Sequence, residues 1–326
     1  MGLAGKNILV TGGTGFIGSH LVKQLIWEKA NIIVPYQSLN PKSYFYSENL
    51  NKHLILVQKD LKNFKRTIDI VTKYEIDFIF HLAAQSIVPT GYYNPLETFE
   101  TNIIGTANVL EAARLYGRVQ GIIVVSSDKA YGKIPKASEK DPLSGDHPYE
   151  TSKAACDLIT TTYFKTYNLP TVVVRFGNVY GEGDINFSRI IPGAIKSLIK
   201  NEVLQIRSDG KYVRDYVYVK DVVDSLILIS KNINEIKGEV FNISSDENLS
   251  VFAIIKKIEN VLSRKIKSEV LKNAVNEIPR QSINYSKIKK HLGWKPKRGL
   301  TDTLNDIYKW YLDYFAKTKD KTNNFF

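Results

Sequence analysis

The sequence predicts an α/β fold, a doubly wound parallel sheet with a smaller α+β domain built from its C-terminal half. Three observations predict it. From residue 6 to 176, short apolar runs alternate with amphipathic stretches, the mark of βαβ units whose helices cover both faces of a parallel sheet. The first run enters a glycine-rich turn that opens a helix. After residue 177 polar loops and short segments replace the alternation, with no linker rich in Pro, Gly or Ser to set off an autonomous second unit.

The elements follow in order. Residues 6–11 (KNILVT) read as a buried strand. Residues 18–29 read as a helix, with Ile17, Leu21 and Leu25 on helical spacing. Further strands are expected at 31–34, 54–58, 78–82, 121–126 and 171–176, and helices at 67–74, 96–116 and 149–167. Right-handed crossovers make such a chain doubly wound. The second half should hold helices at 190–201, 221–231 and 251–262 and short strands at 204–206, 216–219 and 240–243.

Composition excludes several classes. Of 326 residues 43% are hydrophobic and 24% charged, an ordinary globular balance that argues against global disorder. One cysteine excludes an intramolecular disulfide and a cysteine-only metal cage. The start, MGLAGKNILV, lacks the long apolar stretch of a signal peptide, and no run of about 20 apolar residues occurs. A cytoplasmic protein without membrane contact is expected. The net charge of +12 invites a nucleic-acid reading. The lysines are scattered, however, with no arginine-rich run or zinc-finger spacing, so no nucleic acid is expected and an anionic small substrate suits the charge as well.

The strongest local motif is Thr11-Gly-Gly-Thr-Gly-Phe-Ile-Gly18. Gly12 permits a tight turn, Gly15 lets the backbone approach a pyrophosphate, and Gly18 lets the helix lie close. The helix N-terminus offers free N–H groups to phosphates. This strand–loop–helix is Rossmann-like, and Phe16 and Ile17 belong to its cofactor-facing turn. The acidic residue that grips an adenosine ribose is missing from Val34-Pro-Tyr-Gln-Ser38. Gln37 and Ser38 can bond either ribose form, so NAD and NADP both stay open. No arginine favours NADP there, which tips the expectation to NAD. Asp60 can accept from the adenine amino group or cap the next helix.

Tyr149-Glu-Thr-Ser-Lys153 places a phenol and an ammonium four residues apart on one helix face. The cation should lower the phenol pKa and make a usable base. About twenty residues upstream, Ser126-Ser-Asp-Lys-Ala-Tyr-Gly132 follows a strand, and Ser127 can complete a Ser/Tyr/Lys triad.

With His81-Leu-Ala-Ala-Gln85 and Asn102-Ile-Ile-Gly-Thr106 added, the chain resembles the extended short-chain dehydrogenases/reductases over roughly residues 6 to 313. The resemblance implies an NAD(P)-binding domain at 1–176 plus 212–243 and a nucleotide-sugar-binding domain at 177–211 plus 244–326. It adds Leu61, Leu82, Ala83 and Ala84 to the cofactor side, and Gln85 and Ser86 to the substrate side. It also implies a homodimer through a four-helix bundle of 96–116 and 149–167.

The family includes 4-epimerases and 4,6-dehydratases. Dehydratases carry an acid and a base just after the triad hydroxyl, whereas epimerases usually have small uncharged residues there. Asp128-Lys129 fills those positions and resembles the pair of CDP-glucose 4,6-dehydratases, as do Ala84-Gln85, Leu292-Gly-Trp-Lys-Pro296 and Gly299-Leu-Thr-Asp-Thr-Leu304. The implied reaction is a nucleotide-sugar 4,6-dehydration, of CDP-glucose or GDP-mannose type, with 4-epimerisation as the alternative. In it Tyr149 takes the 4-hydroxyl proton, Lys129 the C5 proton, and Asp128 protonates the departing C6 hydroxyl. A surface ion pair is the plainer reading of Asp128 and Lys129.

On the substrate side Asn178, Asn186, Arg189 and Arg214 resemble nucleotide- and diphosphate-binding positions, and Arg280 in Pro279-Arg-Gln281 is a further candidate. A regulator that merely binds NAD(P) would be expected to lose part of the Ser-Asp-Lys or Tyr/Lys set, and none is lost. His81, Cys156, Trp294 and Trp310 read as packing residues, and five scattered histidines form no metal pattern.

Overall fold

The computed structural model describes residues 2–273 and 278–319. Seven parallel strands form the main sheet: β1 (Asn7–Thr11), β2 (Asn31–Tyr36), β3 (Ile55–Gln58), β4 (Phe78–His81), β5 (Gly121–Ser127), β6 (Thr171–Phe176) and β7 (Val240–Ile243). Their order is 3-2-1-4-5-6-7. The order reverses beside β1, and a crevice opens there at the carboxyl ends of the strands, where α/β sheets bind ligands.

The principal helices are α1 (Phe16–Trp27), α2 (Phe64–Lys73), α3 (Gly105–Tyr116), α4 (Pro148–Tyr167), α5 (Ile190–Lys200), α6 (Val219–Lys231), α7 (Val251–Leu262) and α8 (Leu300–Lys319). Continuous apolar strands allow both sheet faces to be covered. Ile8, Val10, Phe78, Phe80 and Ile123 face one side with Leu21 and Leu25 of α1 and Leu226 of α6. Leu9, Ile79, Ile122 and Val124 face the other with Ile70 of α2 and Val109 and Leu110 of α3. Alternate residues part to opposite faces because the strand period is two.

The helix expected over 96–116 is three pieces: Pro95–Phe99, a π turn at Glu100–Ile104, then α3. The wide turn coincides with Asn102, whose buried amide donates to Gln85 O (3.1 Å) and Ser152 Oγ (2.9 Å). A π turn of this kind often marks a functional region.

The smaller part holds a five-stranded mixed sheet. Asn248–Ser250, Val213–Tyr218, Arg280–Ile283 and Lys136–Ala137 follow one another, and Asn178–Tyr180 pairs with Val213–Tyr218. Leu204–Ile206 pairs separately with Ser268–Val270. Behind these strands α5, α7 and α8 share a core of Ile195, Ile254, Leu304 and Tyr311. Several of these strands have only two to four residues, too few to show a period in sequence. Residues 212–243 serve both parts: Val213–Tyr218 lies in the second sheet, α6 and β7 with the first. Ile288 and Trp294, late in the chain, pack on the main-sheet core.

Candidate active site

A cavity of about 1170 Å³ runs between the carboxyl ends of the main sheet and the second sheet. One end is the glycine loop. Gly12 has φ +70°, and a Cβ there would sit 2.8 Å from Ala83 N, so the turn is pressed against the chain leaving β4. A Cβ on Gly18 would lie 2.1 Å from Gly12 O. The close approach that excludes a side chain at Gly18 is therefore to the loop itself. The N-cap of α1, Gly15, makes no side-chain cap bond, which leaves first-turn N–H groups for an anion.

Every expected cofactor residue lines this cavity: Gly12, Gly15, Phe16, Ile17, Gly18, Gln37, Ser38, Asp60, Leu61, Leu82, Ala83, Ala84, Tyr149 and Lys153. Asp60 does not cap α2. That cap is Asn63, whose side chain accepts from Arg66 N (3.1 Å), while Asp60 Oδ1 accepts from Lys62 N (2.9 Å). A glycine cradle, an uncapped helix start and a Tyr/Lys pair in one cavity fit a dinucleotide cofactor.

Ser127, Asp128, Lys129, Tyr149 and Lys153 converge on the cavity wall. Strand β5 delivers Ser127 at its carboxyl end, and a 3₁₀ turn at Asp128–Tyr131 carries the next two. Helix α4 brings Tyr149 and Lys153 across. Ser127 Oγ donates to Asp128 Oδ1 (2.8 Å), and Asp128 Oδ2 is buried with no partner among the described residues. Lys129 Nζ donates to Gln281 Oε1, and Gln281 Nε2 donates to Asp128 O (3.3 Å). The surface ion-pair reading of Asp128 and Lys129 therefore does not describe them: Asp128 is buried and Lys129 is held by an amide.

The expected lowering of the Tyr149 pKa by Lys153 is not what the structure has. Burial pushes the phenol up to about 12. The Ser127 hydroxyl pulls it down by hydrogen bonding, Asp128 raises it, and the Arg189 charge lowers it. Lys153 points its ammonium at Val125 O (3.0 Å). Burial lowers the Lys153 pKa, because a dry site disfavours the cation.

On the substrate side Ser86, Asn178, Asn186, Arg189 and Arg214 line the cavity, whereas Gln85 and Arg280 do not. Asn178 Nδ2 is buried without a partner among the described residues. Asn186 Oδ1 is taken by Ser188 Oγ (2.6 Å), and Arg189 Nη1 pairs with Asp184 Oδ2 (3.1 Å). Arg214 Nη1 donates to Val213 O (2.9 Å). Gln85 braces the loop after β4: its N–H donates to Asn102 Oδ1 (2.7 Å). Arg280 begins an unforeseen strand and is exposed, while Gln281 beside it is buried. Gln281, not the arginine, reaches the site, through Lys129 Nζ and Asp128 O. Gln281 had no sequence signal, because a four-residue strand shows too little pattern. Arg207, Tyr212 and His147 also line the cavity and were not foreseen.

The packing residues behave as expected. His81 is buried between Thr11 Oγ1 (2.7 Å) and Thr106 Oγ1 (2.9 Å), and burial lowers its pKa to about 3. Cys156 Sγ is buried and donates to Asn102 O (3.0 Å). Trp294 is buried, its Nε1 on Asp221 O (3.3 Å), and Trp310 stacks on Tyr314. Among the described residues no group of three or more His, Cys, Asp or Glu could hold a metal ion, and no helix is long and apolar enough to cross a membrane.

A family model described as GDP-mannose 4,6 dehydratase matches residues 9–307. The chain is 30% identical to a dTDP-glucose 4,6-dehydratase of Haemophilus influenzae over 336 residues, covering 94% of this chain and 98% of that one. It is 28% identical to a CDP-glucose 4,6-dehydratase of Salmonella typhimurium, covering 94% and 90%. A UDP-glucuronic acid 4-epimerase of Bacillus cereus, solved with UDP-glucuronic acid and NAD, superposes with a TM-score of 0.86 at 26% identity, covering 94% and 99%. The match along the chain, the shared architecture and the cavity described above agree, and the protein belongs to the extended short-chain dehydrogenase/reductase family of NAD-dependent nucleotide-sugar epimerases and dehydratases.

Proposed function

We propose that this protein is a nucleotide-sugar 4,6-dehydratase, which converts an NDP-hexose to the 4-keto-6-deoxy sugar. The observation that carries the reading is Asp128-Lys129 in the cavity wall beside Tyr149. Asp128 is buried with one oxygen unpartnered among the described residues, and Lys129 is held on Gln281. An epimerisation at C4 has no use for a second acid and base.

The residues divide the work. Tyr149, with Ser127 on the same oxygen, removes the 4-hydroxyl proton. The phenol must ionise for this; burial raises its pKa, and the Ser127 hydrogen bond and then the Arg189 charge oppose that rise. NAD, which Gly12, Gly15, Gly18, Tyr149 and Lys153 would hold, would supply the hydride chemistry at C4 and C6; the Gln37/Ser38 stretch leaves NADP compatible. Once C4 is a ketone, the C5 proton is acidic. Lys129 takes it, and Asp128 gives a proton to the departing C6 hydroxyl. The C5–H and C6–O bonds break, a C5–C6 double bond forms, and one water leaves; hydride at C6 and a proton returned to C5 by Lys129 then saturate that bond. Asn178, Asn186, Arg189 and Arg214 are assigned to the diphosphate and nucleoside, guanidinium forks suiting phosphate geometry. CDP-glucose and GDP-mannose are the first substrates to try.

The same reading includes a homodimer in the cytoplasm. Leu96, Ile104, Leu115, Leu158 and Tyr167, on the two segments assigned to a four-helix bundle, are exposed apolar side chains, as an uncovered interface would show.

The test is mass spectrometry of each NDP-hexose after incubation with enzyme and NAD. Loss of one water is expected for one of them. Unchanged mass with inverted C4 makes the protein a 4-epimerase, the reading favoured by its likeness to the Bacillus cereus enzyme.

A further inference from the structure

Helix α4 begins in an unusual way. Helix starts favour Asn, Asp, Ser or Thr, whose oxygen accepts a first-turn N–H. Here the N-cap is His147, and its ring nitrogen Nδ1 accepts from the N–H of Tyr149 at 3.2 Å. A ring nitrogen accepts only when it carries no proton. The bond therefore fixes the tautomer: Nδ1 bare, the proton on Nε2. Nε2 lies 3.4 Å from Glu150 Oε1, and the other Glu150 oxygen accepts from Asp146 N at 3.3 Å. The imidazole stacks on Tyr92 with centroids 5.0 Å apart, and its centroid lies 6.5 Å from that of Tyr149. His147, Tyr92, Glu150 and Tyr149 all line the cavity. This cap differs from an asparagine or serine cap in one respect: it titrates.

We propose that neutral His147 is the positioning residue for Tyr149, and that protonation of Nδ1 releases the first turn of α4 and takes Tyr149 out of place. The inference rests on the reading of Tyr149 as the base at C4. On protonation Nδ1 becomes a donor aimed at another donor, the Tyr149 N–H. The cap is lost and a repulsion replaces it. Proton-abstraction geometry tolerates little displacement, so activity falls with the cap.

The charges around the ring decide where it titrates. Glu150 on the same helix and Asp146 before it favour the imidazolium. Lys129, from the turn after β5, opposes it, and burial opposes it most, so the net shift is downward from the ordinary 6.5. Asp146 is partly answered by Lys133 Nζ at 2.8 Å. At neutral pH the ring is bare at Nδ1 and the cap is closed.

Two measurements on the full-length protein test this. The first is the pH profile of kcat for the wild type, His147→Asn and His147→Ala with the hexose that turns over. The wild type should show an acid limb from His147. His147→Asn supplies a cap oxygen that does not titrate. It should keep kcat within about twofold at about pH 8 and lose that limb. His147→Ala should lower kcat about fivefold or more above the acid limb and converge with the wild type below it, with KM little changed. A limb that persists in His147→Asn overturns the proposal, as does a His147→Ala variant equal to wild type at about pH 8. The second measurement needs no turnover. Nitrogen NMR of the His147 ring should show Nδ1 unprotonated at neutral pH, and the Tyr149 amide signal should titrate with it in the wild type but not in His147→Asn. A protonated Nδ1 at neutral pH sinks the proposal even if the dehydratase reading stands. If no NDP-hexose is consumed, that reading fails while the cap is still decided by NMR.

Discussion

The Arg175 guanidinium grips Asp157 through two bonds, Nε to Oδ2 at 2.6 Å and Nη2 to Oδ1 at 2.8 Å, with both side chains buried. Arg175 also donates to Tyr131 Oη (2.5 Å), which donates to Asn242 Oδ1 (2.8 Å). The pair fastens α4, which carries Tyr149 and Lys153, to β6 beneath it. Removing one member leaves an uncompensated buried charge, so Asp157→Ala should cost about 3–5 kcal/mol in urea denaturation. Replacing both together, Asp157→Leu with Arg175→Met, should recover most of that loss. A loss under about 1 kcal/mol for the single change would show that the pair is hydrated in solution.

Tyr149→Phe keeps the ring and deletes the proton acceptor. Turnover should fall by about 10²–10⁴, with NAD affinity, measured by calorimetry, unchanged. A variant with near-normal kcat would remove Tyr149 from the chemistry.

Lys129→Met separates the two halves of the proposed reaction. Exchange of the C5 hydrogen with heavy water should slow about a hundredfold, while oxidation at C4 continues. Equal slowing of both would make Lys129, on Gln281, a brace for the loop and not the base.

Asp215 lies buried in the second sheet, accepting from Ser244 Oγ and from Ile283 N (3.0 Å), with Oδ1 unpartnered among the described residues. Burial first and the nearby Asp128 second raise its pKa from 3.8 to about 6. A carboxyl raised on folding stabilises the fold when protonated. Its contribution is complete below about pH 4 and is lost as pH rises through about 6. Relative to Asp215→Asn, the wild type should thus lose about 3 kcal/mol between pH 4 and pH 7, the worth of a two-unit shift. Parallel stability curves for the two proteins would contradict the shift.

Gln37 follows β2 and lines the cavity, and in the proposed reading it bonds the adenosine ribose. Gln37→Asp should weaken NADP binding about tenfold or more and leave NAD binding within about threefold. Equal effects on the two cofactors would place the ribose away from Gln37.

The sequence was readable where local rules repeat. Each main-sheet strand is an apolar run, and α1, α2 and α4–α7 show their turn and period, so those elements lay within a few residues of expectation. The glycine loop and Tyr149/Lys153 were legible because each has a fixed spacing set by one turn or one helix. Gln281 was not, since its strand is four residues long and its meaning comes from Lys129, 152 positions away. Nor was the exclusion of Arg280, which lies at the exposed start of that strand, away from the cavity lining.

By itself the sequence determined the doubly wound sheet, the glycine loop between β1 and α1, and the Tyr149/Lys153 spacing, because periodicity and short spacings are enforced by backbone geometry; Asp128 and Lys129 were marked only by a family resemblance. Only the tertiary structure decided which groups are dry and what each one touches: the Asp128 oxygen without a partner among the described residues, the amide on Lys129, the phenol raised to about 12, the imidazole capping Tyr149. Burial and hydrogen-bond partners come from segments distant in the chain, and they set the energy of a charge more strongly than the residue type does.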